Sequence, residues 1–286
     1  MSLSHGIFMN DKGIIFDMQR NSYVDGPGTR TTVFFKGCNL RCAWCHNPES
    51  WSKEKQLLFY KEKCTHCGAC REVCTQKEGE CTLCGSCAAV CPTGAKQLCT
   101  EEITAAELLK KISRDQRFYD ASGGGVTFSG GECMLQIEFL ERILMLCKQA
   151  GIHTAVDTAG NVAWESFERI LPYTDLFLYD IKAMDPTVHK RCTGADNTRI
   201  LENLSRLLDR GAAVWIRIPV IPGVNDSPEE MEKIKAFLRP HPKPEKVELL
   251  PYHPMGEHKY AALGKSPQVF EVPSSEAISR LKTILL

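Results

Sequence analysis

The chain has 286 residues, of which 35 are basic and 35 acidic, so no bulk charge draws it to nucleic acid or to an anionic membrane. No apolar stretch reaches the length of a membrane span, and MSLSHGIFMNDKG at the N-terminus lacks the charged region and long apolar run of a signal peptide, which points to the cytoplasm. Fifteen cysteines in such a chain indicate metal or cluster ligation rather than disulfides, and eleven of them fall between Cys38 and Cys91.

Three regions follow one another. Residues 1–60 hold the β-like run TRTTVFFKG (29–37), which leads straight into GCNLRCAWCHNPE (37–49). Residues 61–100 are dense in cysteine and poor in large apolar side chains. Residues 101–286 alternate between helix and strand. Helices are predicted over 103–119 with Thr104 as N-cap, 134–151 closed by Gly151, 164–173, 197–211 closed by Gly211, 227–239 with Ser227 as N-cap, and 274–286. Strands are predicted over 125–131, 153–160, 176–184, 213–223 and 246–253. With 29–37 these make six β/α units, the pattern of a parallel sheet covered by helices. Six are too few for a closed eight-stranded barrel. The expected fold is an α/β partial (β/α)6 barrel interrupted by a ferredoxin-like segment at 61–100, with a doubly wound sheet as the alternative.

The polar motifs fall at the carboxyl ends of these strands, where parallel α/β folds build their sites. They are the three-cysteine loop, SGGE (129–132), DTAG (157–160), DIK (180–182), Arg217 and PYH (251–253). Gly130 and Gly131 allow close backbone approach, and Glu132 offers an acceptor. Asp157, Thr158 and Asp180 are oxygen donors suited to a hard cation, or else helix caps. Lys182 and Arg217 suit a carboxylate, or else are structural charges. Asp25 in DGPG reads locally as a turn aspartate.

Cys38, Cys42 and Cys45 form C-x3-C-x2-C. Three thiolates hold three corners of a 4Fe–4S cube and leave one iron open. A zinc site completed by His46 or a distant cysteine is the alternative, disfavoured because zinc sites use C-x2-C pairs. The middle segment repeats C-x2-C-x2-C-x3-C twice, the bacterial ferredoxin pattern. Its rule pairs Cys64, Cys67 and Cys70 with Cys91, and Cys81, Cys84 and Cys87 with Cys74. The second run ends in Pro92, whereas Thr75 follows the first. A zinc ribbon on Cys64, Cys67, Cys81 and Cys84 would strand four thiols. Clusters are the expected scaffold of a segment with so little apolar content. Cys147 reads as core and Cys133 as core or site lining. Cys99 and Cys192 are unassigned.

The three-cysteine loop, with Trp44 before its last cysteine, resembles that of the radical S-adenosylmethionine (radical SAM) superfamily. There the methionyl amine and carboxylate of SAM chelate the open iron, and an electron from the cluster releases a 5′-deoxyadenosyl radical. Over essentially its whole length the chain is similar to glycyl-radical-enzyme activating enzymes. It resembles the pyruvate formate-lyase activase in YVDGPGTRTTVFFKGCNLRCAWCHNPES, SGGE, DTAG, DIK, VWIRIPVIPG and LLPYHPMGEHKY. That activase lacks the cysteine-dense insert, which is typical of activases serving other lyases, dehydratases and decarboxylases.

The resemblance implies that Cys38, Cys42 and Cys45 hold the SAM cluster beside Trp44. Gly130, Gly131 and Glu132 would meet the methionyl end. Asp157, Thr158, Asp180 and the Leu178 carbonyl would hold a monovalent cation, Na+ or K+. Lys182, Arg217 and His253 would contact SAM, and Asp25 would face the incoming glycine loop. Ala159 stands where the family often has Asn or Ser. The implied cofactors are three 4Fe–4S clusters and SAM. The implied partners are a glycyl radical enzyme, such as hydroxyproline dehydratase, and flavodoxin or ferredoxin as electron donor to a monomer. Two other readings fit less of the chain. Sulfatase-maturing radical SAM enzymes carry extra clusters near the C-terminus, but no cysteine follows Cys192. A plain ferredoxin-like carrier would leave SGGE and the α/β body without purpose.

Overall fold

The computed structural model describes residues 11–76 and 80–286, so most of the stretch read for a signal peptide lies outside the described residues. Among the described residues ten strands are formed: β1 (Lys12–Ser22), β2 (Arg30–Phe35), β3 (Leu57–Phe59), β4 (Lys96–Leu98), β5 (Glu101–Thr104), β6 (Gly125–Gly130), β7 (His153–Thr158), β8 (Leu176–Asp180), β9 (Val214–Val220) and β10 (Lys246–Pro251). Eight of them make one sheet in the order β10-β9-β8-β7-β6-β2-β1-β5. The six strands from β2 to β10 are mutually parallel. These are the six that the β/α alternation predicts. At one edge β1 pairs antiparallel with both β2 and β5. Neither antiparallel strand is apparent from the sequence, since β1 turns polar after Phe16 and β5 spans four residues.

The parallel strands follow one another in chain order, without the reversal that a doubly wound sheet requires. Right-handed crossovers in one direction put the long crossover helices on one face. That face is apolar. Val33, Phe35, Val126, Phe128, Val156, Phe177, Tyr179, Val214, Ile216 and Ile218 share one buried cluster with Leu108, Leu140, Ile143, Phe167, Leu204, Leu207, Met231 and Leu281 from the helices. Side chains alternate along a strand, so the intervening residues face the other way. There the chain has Thr32, Thr127, Ser129, Asp157, Asp180 and Arg217. A sheet with one greasy and one polar face leaves the polar face for a site.

The helices start where the caps predict. Thr104 and Glu107 form a reciprocal capping box, and Ser227 accepts from the Glu230 amide at 3.1 Å. The helix expected over 103–119 is divided into Ala105–Ile112 and Gln116–Ser122 by a 3-10 turn. The cysteine-dense segment rises from a small two-stranded ladder, β3 with β4. Its two helices, Ala69–Glu72 and Ser86–Ala89, contain no buried residue.

Candidate active site

The three-cysteine loop leaves β2 through Gly37 and is tied down on three sides. Gly37 N–H donates to the Ser50 carbonyl, and Glu132 N–H donates to the Gly37 carbonyl (2.6 and 2.8 Å). Arg41 and Ala43 N–H donate to the Thr193 and Cys192 carbonyls (2.7 and 2.9 Å), at the end of helix Pro186–Thr193. Within the loop, the amides of Leu40 and Asn47 point at Cys38 Sγ and Cys45 Sγ, both at 3.4 Å. Burial pushes the thiol of Cys38 up to about 11 and that of Cys45 up to about 12, and it also raises Cys42.

All three cysteines line one cavity of about 660 Å³, of the size small-molecule and cofactor sites have. Asp25, Trp44, Gly130, Gly131, Asp157, Thr158, Asp180, Lys182, Arg217 and His253 line it as well. Six strand ends and the loop after β1 thus deliver their polar residues to one mouth. Trp44 is seated against Phe270 and Tyr252. His253 stacks on His46, with ring centroids 4.2 Å apart.

The charges form one network. Arg217 bonds Asp157 and, through Nε, Asp180 at 3.2 Å, and it lies 4.0 Å from Asp25. Lys182 Nζ donates to Asp180 at 2.9 Å, and Ser129 Oγ to Asp157 at 2.6 Å. Burial opposes the charge of Asp180, but Lys182 and Arg217 outweigh it and hold that carboxyl below its ordinary value. For Asp157, burial outweighs the attraction of Arg217 and its carboxyl is raised. Two cations face three carboxylates, so the wall has a negative excess.

Three expected site residues, Glu132, Gly130 and Gly131, also hold the protein's own backbone in place. Glu132 is buried and does not line the cavity. The Thr158 hydroxyl stands 2.9 Å from both its carboxylate oxygens, and the Ala159 amide donates to it at 3.1 Å. Gly131 has no room for a side chain because a Cβ there would meet the Gly37 carbonyl oxygen. At Gly130 it would meet the Phe35 backbone, and φ is +113°. The glycines therefore seat the cysteine loop against β6, and Glu132 braces the turn after β7. Ser129, Ser22 and Thr32 belong to the site as well. The last two donate to Asp25 Oδ2 at 2.7 and 2.8 Å. Ser129, which follows Phe128 in an alternating strand, carries a signal of this role in the sequence, whereas Ser22 lies in the polar half of β1, where none is present.

Leu178 pairs with Asp157 in the β7–β8 ladder, and its side chain lies in an apolar cluster with Ala155 and Leu176. The set expected for a monovalent cation does not fit one in this arrangement. Arg217 already spans Asp157 and Asp180, and Thr158 is engaged by Glu132. Among the described residues no three His, Cys, Asp or Glu side chains converge as the ligands of one metal ion would. A cube-shaped cluster holds its thiolates further apart than a single ion does, and the three-thiol wall with its N–H···S contacts suits one.

In the cysteine-dense segment the same backbone occurs twice. His66 and Gly68 have φ of +57° and +83°, and Leu83 and Gly85 have +53° and +84°. Each pair precedes a four-residue helix. Among the described residues all fifteen cysteines are free of disulfides. Of the unassigned ones, Cys99 is buried 3.9 Å from Lys36 Nζ, and Cys192 packs with Trp44. Cys133 and Cys147 are core.

Comparison with known proteins gives the class first. Residues 32–238 match the model of the Radical SAM superfamily, and the chain belongs to that superfamily. It is 42% identical over 288 residues to the trans-4-hydroxy-L-proline dehydratase activating enzyme of Clostridioides difficile, covering 95% of each chain. It is 44% identical over 271 residues to the choline trimethylamine-lyase activating enzyme of Oleidesulfovibrio alaskensis, covering 88% of this chain and 87% of the other. A solved domain of the pyruvate-formate lyase-activating enzyme from Bacteroides vulgatus superposes with a TM-score of 0.50 at 38% identity, over 57% of this chain and 93% of that one. These similarities set the chain among the glycyl-radical-enzyme activating enzymes. No helix of the described residues is long and apolar enough to cross a membrane.

Proposed function

We propose that this protein activates a glycyl radical enzyme at the cavity lined by Cys38, Cys42 and Cys45. The observation that carries the reading is the convergence of those three thiols with Asp157, Asp180, Lys182 and Arg217 in one space. Bound there, a 4Fe–4S cluster and SAM supply the one-electron cleavage whose radical takes a hydrogen atom from a glycine Cα of the partner. The chain's own work is positioning. Cys38, Cys42 and Cys45 would hold the cluster by their thiolates, and three ligands rather than four would leave it a position for SAM. Lys182, Arg217 and His253 meet SAM, and Trp44 walls the loop. Glu132, Gly130 and Gly131 fix the two backbone turns that frame the ligand. Asp25, at the rim, faces the partner's glycine segment. Hydrogen-atom abstraction needs no general base, so the absence of an acid–base dyad from this reading is consistent with the chemistry. A monovalent cation at Asp157 and Asp180 would have to displace Arg217, and no step is routed through one.

The six parallel strands form the wall of a partial barrel, a reading supported by their sequential order and single helical layer. The insert is ferredoxin-like and holds two further 4Fe–4S clusters, on Cys64, Cys67, Cys70 and Cys91 and on Cys81, Cys84, Cys87 and Cys74. Its duplicated left-handed backbone supports this, because non-glycine residues such as His66 and Leu83 persist at positive φ only when their surroundings enforce it. Those clusters relay electrons from a flavodoxin or ferredoxin in the cytoplasm, and the activase works as a monomer. The relative at 42% identity serves trans-4-hydroxy-L-proline dehydratase, which makes that enzyme the first partner to try.

The test is anaerobic. Reconstituted protein is mixed with SAM, dithionite and the dehydratase, then assayed for 5′-deoxyadenosine and the glycyl radical EPR doublet. Both are expected. Failure to form 5′-deoxyadenosine with intact clusters would end the reading.

A further inference from the structure

Between the helices Glu257–Ala262 and Ser275–Leu285, residues 265–273 run as a strap with neither helix nor strand. Lys265 N–H donates to the Tyr260 carbonyl at 2.8 Å. Beyond it, no backbone hydrogen bond holds residues 266–273 among the described residues. Three large apolar side chains lie on the strap. Val269 and Val272 are 74% and 60% exposed, whereas Phe270 turns inward. A strap without backbone bonds is placed by the side chain it buries.

The Phe270 ring stands edge-to-face to Trp44 and to Tyr252, with centroids 6.3 and 5.6 Å apart and interplanar angles of 77° and 71°, an arrangement that aromatic pairs prefer. With Cys192 and Ile221 these rings form a small apolar cluster, separate from the core under the sheet. Trp44, Ile221 and Tyr252 also line the cavity, and Phe270 does not. The Tyr252 hydroxyl has an anchor of its own on Glu257 at 2.8 Å, whereas Trp44 is held by packing. Phe270 therefore backs two of the three side chains of this apolar wall from outside the cavity. A second wall is charged, made by Asp157, Asp180, Lys182 and Arg217. SAM has two unlike ends to match, a charged methionyl end and a flat aromatic base.

We propose that Phe270 is a positioning residue for SAM. It fixes the planes of Trp44 and Tyr252, so that the apolar wall is formed before the adenine base arrives. Binding then does not have to order two aromatic rings, a cost that would otherwise be taken from affinity. The inference rests on the activase reading above.

The experiment compares wild type with Phe270→Ala, Phe270→Leu, Phe270→Tyr and Val272→Ser, all reconstituted anaerobically. Iron content is measured first. The Kd for SAM is then read from the change that SAM causes in the EPR spectrum of the dithionite-reduced protein. The kcat is read from 5′-deoxyadenosine formed at saturating SAM without partner. Phe270→Ala is expected to raise Kd at least fivefold, with iron content unchanged and kcat within twofold. Phe270→Leu, which refills volume without a ring, should fall between. Phe270→Tyr should bind SAM within twofold of wild type, and Val272→Ser, exposed on the same strap, should match wild type. Should Phe270→Ala fail to fold, Phe270→Leu decides. An unchanged Kd overturns the proposal, as does an equal effect of Val272→Ser. Loss of iron in step with loss of binding overturns it too, since Phe270 would then hold the cluster loop rather than the ligand wall. If wild type binds no SAM, the activase reading itself falls. If wild type and Phe270→Ala bind it equally, this proposal falls alone.

Discussion

Both oxygens of Glu132 are committed to the turn after β7, and burial raises its carboxyl from 4.5 to about 7. A folded value above the unfolded one means that folding takes up a proton between them. Stability is therefore full below pH 4.5 and is lost as pH rises through 7, by roughly 3 kcal/mol from this group. Glu132→Gln removes that component. Its amide would turn a donor toward the Thr158 or Ala159 donors, at a cost of about 1–2 kcal/mol. Denaturant melts at pH 5 and pH 7.5 should show a smaller pH difference in the variant, and equal differences would refute the assignment. Gly131→Ala makes a separate point. If Gly131 spares room for the Gly37 carbonyl, the added methyl unseats the cysteine loop, and iron at the SAM cluster should drop several-fold before SAM is ever added. Normal iron content with weakened SAM binding would instead mean that the glycine faces the ligand. The identity of these residues is legible in SGGE and DTAG. Their direction is not, because which way Glu132 points depends on Thr158, twenty-six positions away and on another strand.

Elements differ in how much of their stability is their own. The helices over the sheet bury a continuous apolar face, so 3.6-residue periodicity reveals them, and the caps at Thr104 and Ser227 fix their starts. The two antiparallel strands escape for different reasons: β5 spans only four residues, and β1, though long, is polar and half solvated beyond Phe16, so neither offers a pattern to read. The insert is the extreme case. Helices Ala69–Glu72 and Ser86–Ala89 are one turn each, too short to hold alone, and bury nothing. The proposed clusters would supply by ligation what packing does not. Double replacement of Cys64 and Cys81 by Ser should raise amide exchange across 64–94 by orders of magnitude and leave β6 to β9 protected. Protection of the segment in that variant would show a core that the structure does not have. Here the cysteine spacing foretells the backbone: the two runs adopt the same pair of left-handed residues, at His66 and Gly68 and at Leu83 and Gly85.

At the scale of the whole molecule, two bodies meet at a narrow neck. β3 and β4 pair over three residues, and Tyr60 N–H donates to the Ala95 carbonyl at 2.7 Å. Beneath them, fully buried Lys36 binds the carbonyl of Glu49 at 2.7 Å and the side chain of Gln56 at 3.0 Å. Lys259 closes the same region on Glu49 at 2.6 Å and on Asn47 at 2.8 Å, and the Tyr260 hydroxyl reaches the Cys45 carbonyl at 3.0 Å. The sequence reveals the insert by its cysteines but not this clasp, whose Lys259 and Tyr260 contacts join positions more than two hundred apart. The clasp lies wholly outside residues 61–94, so those residues can be cut away without opening it. An Asn-Gly turn joining Tyr60 to Ala95 would convert the neck into a short hairpin. The shortened protein is expected to keep the SAM cluster and to cleave SAM with dithionite at a rate within a few-fold of the full chain. With a flavodoxin or ferredoxin as donor, the proposed relay through the insert predicts at least a tenfold fall in cleavage. Equal loss with both reductants would mean that the insert supports the site mechanically. Equal retention would mean that protein donors reach the SAM cluster directly. Only the asymmetric result is compatible with the proposed relay through the insert.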